Sequence, residues 1–213
     1  MTQESPKLRP ARLDDLEEIG YISHQTGLLG DPIGRFFPDQ ALWADVFIRP
    51  YLEAGCCNFV IENKGHVAGY IIGSCSPGEL PRWLVTRLPA VLLDGFRQGR
   101  YSRLAGCLPY LARFLVRGGA RAPGTDYPAE LHIGALPGAR GRGLGAALMG
   151  RFLDCLHERG VRGVQLATSE RNAAALRLYE RFGFRVYARW RSRFWEPYLG
   201  IPVEHLRLVK ELA

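Results

Sequence analysis

Three glycines and two arginines fall within six residues at positions 140–145, whose sequence is RGRGLG. A strand-like run precedes these residues and a helical pattern follows them. At such a junction, unpaired backbone N–H groups and the positive end of the helix dipole point to the same place, which favours an anion. Glycine lets a phosphate approach the backbone, and Arg140 and Arg142 add positive charge at the rim. These residues predict a phosphate-binding turn.

Other kinds of glycine-rich turn fit these residues poorly. A Walker loop requires Gly-Lys followed by Ser or Thr, and that sequence does not follow here. A dinucleotide-binding turn can be aligned on Gly141, Gly143 and Ala146, but it needs an acidic residue about 20 positions further on at a strand end. Residues 164–168 contain no such residue. A plain tight turn would explain one glycine, but not three together with two arginines.

Groups that could transfer a proton lie on both sides of this turn. In the strand-like run before it, alternation places Glu130 and His132 on one face. Either could accept a proton from an amine, or both could form a hydrogen-bonded pair at a sheet surface. In a later helical run, Asn172 and Tyr179 are seven residues apart, so they share one face and can point at one ligand. Taken alone, Tyr179 is better explained as a half-buried packing residue.

Hydrophobic periodicity predicts the elements that must position these groups. Strands are predicted at residues 8–11, 58–62, 66–74, 130–136, 164–168, 184–190 and 203–210. Helices are predicted from Asp14 and at residues 39–52, 144–159 and 173–182. A hairpin is predicted at residues 63–65, because asparagine and glycine tolerate positive φ. The order of elements predicts an α/β fold with a mixed central β-sheet flanked by helices.

Residues 77–128, called the insertion below, separate the third strand from the fourth. Two apolar, arginine-rich segments at residues 80–96 and 101–116 predict two helices there. The insertion has eight arginines against three acidic residues, so most of the formal net charge of +7 lies in it. A substrate with a carboxylate or phosphate would suit this charge, although arginines on a solvated surface explain it equally well.

Length and composition indicate one globular domain over residues 1–213, with 47% apolar and 23% charged residues. The sequence shows no signal peptide and no run of roughly 18 apolar residues, so we expect a cytoplasmic protein. An odd number of scattered cysteines predicts neither a disulfide framework nor a metal site. We therefore expect reduced, mostly buried thiols at Cys56, Cys57, Cys75, Cys107 and Cys155.

Two segments resemble the motifs of the GNAT superfamily of N-acetyltransferases. Residues 131–146, LHIGALPGARGRGLGA, are similar to its central motif, in which a strand and a proline precede Arg/Gln-x-x-Gly-x-Gly/Ala. Residues 172–184, NAAALRLYERFGF, resemble its next motif, Asn-x-x-Ala-x-x-x-Tyr-x-x-x-Gly-Phe. The two motifs have the right order and separation, which makes them more specific together than singly. The resemblance implies the GNAT fold.

A narrower resemblance, to small bacterial GNAT proteins related to the acetyltransferase-like module of O-GlcNAcase, rests on four short segments. They are residues 37–40, 50–52, 69–70 and 127–133. Those relatives are expected to carry Asp where this chain has Gly134, which leaves the role of that carboxylate open here. The branch that acetylates peptide amino termini is disfavoured, because the Glu that it commonly carries is replaced by Ala167.

The resemblance implies that an amine attacks the thioester of acetyl-coenzyme A directly, without an acyl-enzyme. Tyr179 would be the general acid toward the coenzyme sulfur, and Glu130 or His132 would accept the proton of the amine. The backbone N–H of Ala135 would stabilise the oxyanion. The implied cofactor-binding residues are Ile133, Gly134, Ala135, Arg140, Gly141, Arg142, Gly143, Leu144, Gly145, Ala146 and Asn172.

The implied partners are acetyl-coenzyme A and an amine acceptor, for which a small molecule is favoured and an acidic one is an option. Nucleic acid, membrane and metal are not expected, and a homodimer is one possible assembly. The main competing hypothesis is a non-catalytic acyl-coenzyme A binding or regulatory module with the same fold. Gly134 and Ala167 favour that module, whereas the glycine-rich turn and Tyr179 favour an enzyme.

Overall fold

The computed structural model describes residues 6–115 and 118–212, and its strands form a seven-stranded sheet. The strands are β1 (Lys7–Pro10), β2 (Cys56–Asn63), β3 (His66–Ser74), β4 (Ala129–Ala135), β5 (Gly163–Ser169), β6 (Arg185–Ser192) and β7 (Val203–Glu211). Their order across the sheet is β1-β2-β3-β4-β5-β7-β6. Only β4 and β5 are parallel neighbours within these described strands. The predicted mixed sheet is confirmed.

Helices cover both faces of the sheet. Those in the described residues are α1 (Leu16–Thr26), α2 (Gln40–Phe47), α3 (Arg49–Ala54), α4 (Glu79–Thr86), α5 (Leu88–Arg97), α6 (Leu104–Leu115), α7 (Leu144–Glu158), α8 (Ala173–Arg181) and α9 (Glu196–Leu199). Residues of α1 and α2 pack with Tyr70 and Ile72 on one face. Residues of α7 and α8 pack with Ile71 and Leu131 on the other face. We call these the α1 face and the α7 face.

Prolines divide two of the predicted helices. The helix expected at residues 39–52 is interrupted at Ile48, and Pro50 lies in the first turn of α3. The helix expected at residues 80–96 is split in the same way, with Pro89 in the first turn of α5. Proline lacks an N–H and clashes with the preceding turn, so it is best accommodated where a helix begins. The expected end of the next helix, at Val116, lies outside the described residues.

The insertion is helical, as predicted, and packs against the rest of the domain through an aromatic cluster. Tyr110 of α6 contacts Phe37, Trp43 and Phe194, with ring centroids 5.2–6.0 Å apart. A buried carboxylate adds a polar connection, because Tyr101 donates a hydrogen bond of 2.8 Å to Asp45 of α2. The helices of the insertion are therefore fixed on α2 and on the segment that precedes β7.

The prediction of five reduced cysteines is wrong for four of them. Cys56 is joined to Cys75, and Cys57 is joined to Cys155, while Cys107 is a buried free thiol. Adjacent strand residues normally point to opposite faces. Here a register shift after Cys56 and a φ of +55° at Cys57 turn both sulfurs to the α7 face. Disulfides are typical of oxidising compartments, so the cysteines no longer support a cytoplasmic location.

Within residues 6–115 and 118–212, no helix combines the length and the apolar character that a bilayer span requires.

Candidate active site

The central feature of the site is the separation of β4 from β5. The two parallel strands are paired at Ala129 and Glu130, opposite Val164 and Gln165. Beyond Glu130, β4 continues its pairing with β3 on its other side as far as Ala135. The edge of β4 at residues 131–135 therefore faces a gap in the middle of the sheet. An extended polyamide ligand can add to such an edge through backbone hydrogen bonds.

The glycine-rich turn lies directly beyond this gap. Gly141 and Gly143 both have φ of +77°, and α7 begins at Leu144. Only glycine adopts this left-handed conformation at little cost, so the fold itself requires glycine at both positions. A β-carbon at either position would meet nothing within 4 Å, so there is open space beside both glycines. The N–H groups at the start of α7, from Leu144 to Ala146, have no acceptor within the helix itself.

Arg140 is less available as a rim cation than the sequence suggested. Its guanidinium donates hydrogen bonds to the carbonyl oxygens of Ala135 at 3.1 Å and Gly30 at 3.0 Å. It thus connects the end of β4 to the loop after α1. Arg142 is exposed on the turn. Of the two arginines, Arg142 is therefore the better candidate for contact with a phosphate.

Asn172 and Tyr179 occupy the two ends of α8. Asn172 is the N-cap, and its side-chain oxygen accepts a hydrogen bond of 3.2 Å from the N–H of Ala175. Its amide NH₂ group remains the part that could donate to a ligand. Tyr179 is buried on the α7 face and packs against Phe184, with ring centroids 5.8 Å apart. Burial and the nearby Tyr70 phenol raise the pKa of Tyr179, which keeps its proton in place at neutral pH.

Tyr70 is a site residue that the sequence analysis missed. It is paired with Gly134 across β3 and β4, so both point to the α1 face. A β-carbon at position 134 would lie 2.7 Å from Cε1, 3.0 Å from Cζ and 3.1 Å from Oη of Tyr70. The phenol thus occupies the place that an Asp at position 134 would need. Strand pairing was the signal that could have identified it, since Tyr70 lies in the predicted third strand.

Glu130 is held in ion pairs. Arg121 of the insertion lies 2.7 Å from its carboxylate, and the largely buried Arg207 of β7 lies 3.3 Å from the same oxygen. Arg207 also donates a hydrogen bond of 2.8 Å to the carbonyl of Ala120. Two guanidinium groups therefore already occupy this carboxylate as an acceptor. The sequence did not reveal these contacts, because Arg207 is 77 residues from Glu130 and Arg121 lies in the insertion, whose path across the sheet could not be predicted.

His132 is the more accessible of the two predicted proton acceptors. It follows Glu130 on the α1 face of β4, where it is exposed, and its ring contacts the edge of Tyr51, with centroids 5.2 Å apart. The structure thus places Glu130 and His132 on one face, as predicted, but their surroundings differ. Glu130 lies beneath the end of the insertion, and His132 lies closer along β4 to the gap.

The end of the insertion crosses the α1 face of the sheet beside these residues. Gln165 of β5 fixes it by accepting a hydrogen bond from the N–H of Ala122 and donating to the carbonyls of Ala122 and Tyr127, at 2.8–3.2 Å. Next to this segment lies an open cavity of about 470 Å³. Its lining residues include Ala120, Trp190 and three arginines, Arg113, Arg191 and Arg193. Because Arg207 joins Ala120 to Glu130, the cavity and Glu130 are adjacent.

Part of the chain is similar in sequence to curated acetyltransferases. Mycothiol acetyltransferase of Beutenbergia cavernae is 54% identical over 52 residues, which are 24% of this chain and 18% of that protein. The same-named protein of Brachybacterium faecium is 44% identical over 66 residues, 30% of this chain and 20% of that protein. The matches span about a fifth of the length of these curated relatives, so they concern a part of each protein.

Solved structures match over nearly the whole chain. The crystal structure of SsHAT has a TM-score of 0.70 and 28% identity, over 98% of this chain and 99% of that one. The structure of yncA from Salmonella typhimurium with its cofactor acetyl-CoA has a TM-score of 0.61 and 18% identity, over 99% and 95% of the two chains. At that identity, the second match shows the fold alone. A family model described as the acetyltransferase (GNAT) family matches residues 27–184. The model covers most of the chain, and the fold agrees with it, so this protein belongs to the GNAT family of acetyltransferases.

Proposed function

We propose that this protein transfers an acetyl group from acetyl-coenzyme A to a primary amine, by direct attack of the amine in a ternary complex. The observation that carries the proposal is the gap between β4 and β5, bordered by the glycine-rich turn at one end and by Tyr179 on the α7 face. A backbone edge, an anion site and a buried phenol suit the pantetheine, pyrophosphate and sulfur of one ligand. The family and the cofactor-bound relative support the same assignment.

In this proposal, the backbone of Ile133, Gly134 and Ala135 binds the pantetheine arm, and the Ala135 N–H stabilises the oxyanion. The turn from Arg140 to Ala146 binds the pyrophosphate, with Arg142 at the rim. The amide group of Asn172 donates to the ligand, and Tyr179 gives its proton to the departing thiolate. Acetyl-coenzyme A supplies the activated acyl group. Each chemical demand of the reaction thus has a residue of this chain assigned to it.

For the acceptor, we propose a small amine that carries a carboxylate or phosphate. The amine must approach from the α1 face, where His132 and Glu130 lie. The neighbouring cavity is lined by arginines and by Trp190, which suits an anionic group next to an apolar one. Arg113 is already hydrogen-bonded to the carbonyls of Arg193 and Phe194, and Arg193 lies 3.5 Å from the carboxylate of Glu196. Arg191 is therefore the better candidate for substrate contact.

A screen of amines tests both the activity and the acceptor class. We expect release of coenzyme A from acetyl-coenzyme A with small amines bearing an acidic group, and slower release with uncharged analogues of the same size. Arg191→Gln should raise KM for the acidic amines and leave KM for the uncharged ones unchanged. A preference for polycationic amines would contradict the acceptor class. Coenzyme binding without release by any amine would favour the binding module, for which the ion pairs of Glu130 are the supporting observation.

The location of the pyrophosphate can be tested by thermal stabilisation. Acetyl-coenzyme A should raise the Tm of the wild type, because it binds only the folded protein. Gly143→Glu should abolish this rise, since it puts a side chain and a like charge into the turn. Gly160→Glu is the matched control, because Gly160 also has positive φ and open surroundings but lies beyond the other end of α7. If Gly143→Glu is stabilised as strongly as Gly160→Glu, the pyrophosphate binds elsewhere.

The proton acceptor can be identified from pH profiles. An alkyl amine is largely protonated at neutral pH, so kcat/KM should fall on the acidic side as the accepting group is protonated. His132→Gln and Glu130→Gln should each change this acidic limb, and the more damaging of the two variants identifies the principal acceptor. We expect the larger loss for His132→Gln, because Glu130 is already ion-paired with two arginines. Unchanged profiles and rates in both variants would mean that the acceptor group lies elsewhere or that the amine arrives neutral.

A further inference from the structure

The phenol of Tyr70 borders the place where the acyl group must lie. Tyr70 projects from β3 to the α1 face and is 4% exposed. Three of its atoms, Cε1, Cζ and Oη, lie 2.7–3.1 Å from the position that a β-carbon of Gly134 would take. In the proposed function, Gly134 stands between the pantetheine contact at Ile133 and the oxyanion contact at Ala135. The end of the phenol is therefore next to the thioester, on the side from which the amine attacks.

The ring is held rigidly in this position. It packs with Ile19, Ile22 and Ala44 in the buried cluster of the α1 face. Its hydroxyl interacts with Ser23 of α1, whose oxygen also accepts a hydrogen bond of 3.0 Å from Trp43. Burial raises the pKa of Tyr70 to about 12, so the phenol is uncharged at neutral pH. A fixed, uncharged ring can limit the size of a neighbouring acyl group, because an added methylene causes strain in a closely packed region.

We propose that Tyr70 sets the length of the acyl group, and that its phenol restricts the site to acetyl-coenzyme A by occupying the space that a longer chain would need beside Gly134. The inference rests on the proposed function, because it assumes that the thioester lies next to Gly134. The position of Tyr70 also explains why residue 134 is glycine, because any β-carbon there would collide with the phenol. Gly134 and Tyr70 are thus a matched pair across β3 and β4.

The test compares the affinities of acetyl-, propionyl- and butyryl-coenzyme A by titration calorimetry, which needs no acceptor. Wild type should bind the butyryl form at least tenfold more weakly than the acetyl form, since discrimination by one methylene is of the order of tenfold. Tyr70→Leu removes Cε1, Cζ and Oη and keeps the inner part of the side chain. It should bring the three affinities within about threefold of one another. Tyr70→Phe keeps the ring and should retain the wild-type order.

Ile72→Ala is the matched control, because Ile72 is buried two residues further along β3 on the same face, opposite His132. It should lower Tm without changing the order of affinities. If Tyr70→Leu keeps the wild-type preference for acetyl, or if the wild type binds all three forms equally, the inference is wrong and the proposed function stands. If wild type binds none of the coenzymes, both are wrong. Should Tyr70→Leu fail to fold, Tyr70→Met provides the same comparison with a flexible side chain.

Discussion

Tyr179→Phe is expected to lower kcat by about 100-fold while leaving the affinity for acetyl-coenzyme A nearly unchanged. A leaving-group acid acts in the transition state, so its loss does not weaken binding in the ground state. The ring of Tyr179 would keep its packing against Phe184, and the loss would therefore not come from unfolding. The measurement is a comparison of kcat with the coenzyme dissociation constant on the best acceptor from the amine screen.

Tyr110→Phe is the control for this experiment, because it also removes a buried hydroxyl but lies in the aromatic cluster of the insertion. We expect it to keep the wild-type kcat. Equal rates for wild type and Tyr179→Phe would mean that Tyr179 is a packing residue and does not donate a proton in the reaction. A parallel loss of coenzyme affinity would instead mean that the hydroxyl contributes to binding.

Removal of the disulfide between Cys57 and Cys155 is expected to have the largest effect on stability. It joins β2 to α7 across a sequence separation of 98 residues. Loop-closure entropy predicts about 4.7 kcal/mol for a loop of about 100 residues and about 3 kcal/mol for one of about 15 residues. The double variant Cys57→Ser/Cys155→Ser should thus lose more free energy of unfolding in urea than Cys56→Ser/Cys75→Ser, whose loop spans 19 residues.

Excess reductant supplies the control for the disulfide experiment. Under reducing conditions the wild type should lose most of its advantage over both double variants. Equal unfolding curves of wild type and variants without reductant would show that the cysteines do not form these bonds in solution. A larger loss for the shorter loop would contradict the entropic explanation, and would point to packing around Cys56.

The sequence predicted well the part of the fold that carries the proposed ligand site. The strand, turn and helix from Glu130 to α7 and the helix with Tyr179 were all located within a few residues, because both motifs are local. Glycine with positive φ, a helix N-cap and a buried stripe on a helix each leave a signal within a few positions. The roles assigned to these residues remain proposals, but their positions on the elements agree with the structure.

Features that depend on distant residues could not be predicted. The ion pairs of Glu130 could not be predicted, because Arg207 is 77 positions away and Arg121 lies in the insertion. The disulfides required Cys56 and Cys57 to face the same way, which strand alternation forbids and a local bulge permits. Glycine at position 134, where the related proteins are expected to carry Asp, is explained only by the pairing of β4 with β3, which places Tyr70 beside it.

The gap between β4 and β5 also bears on solubility. An unpaired strand edge is a template for association with another chain, and proteins usually shorten or charge such edges. The outer strands follow this rule, since β1 has four residues and ends at Pro10, and β6 carries exposed Arg185, Arg189 and Arg191. The edge of β4 at residues 131–135 is of another kind, because it lies inside the sheet, between β3 and β5, and is not one of its two outer edges. The backbone edge proposed for the ligand is thus kept apart from the outer edges, at which another chain could add a strand.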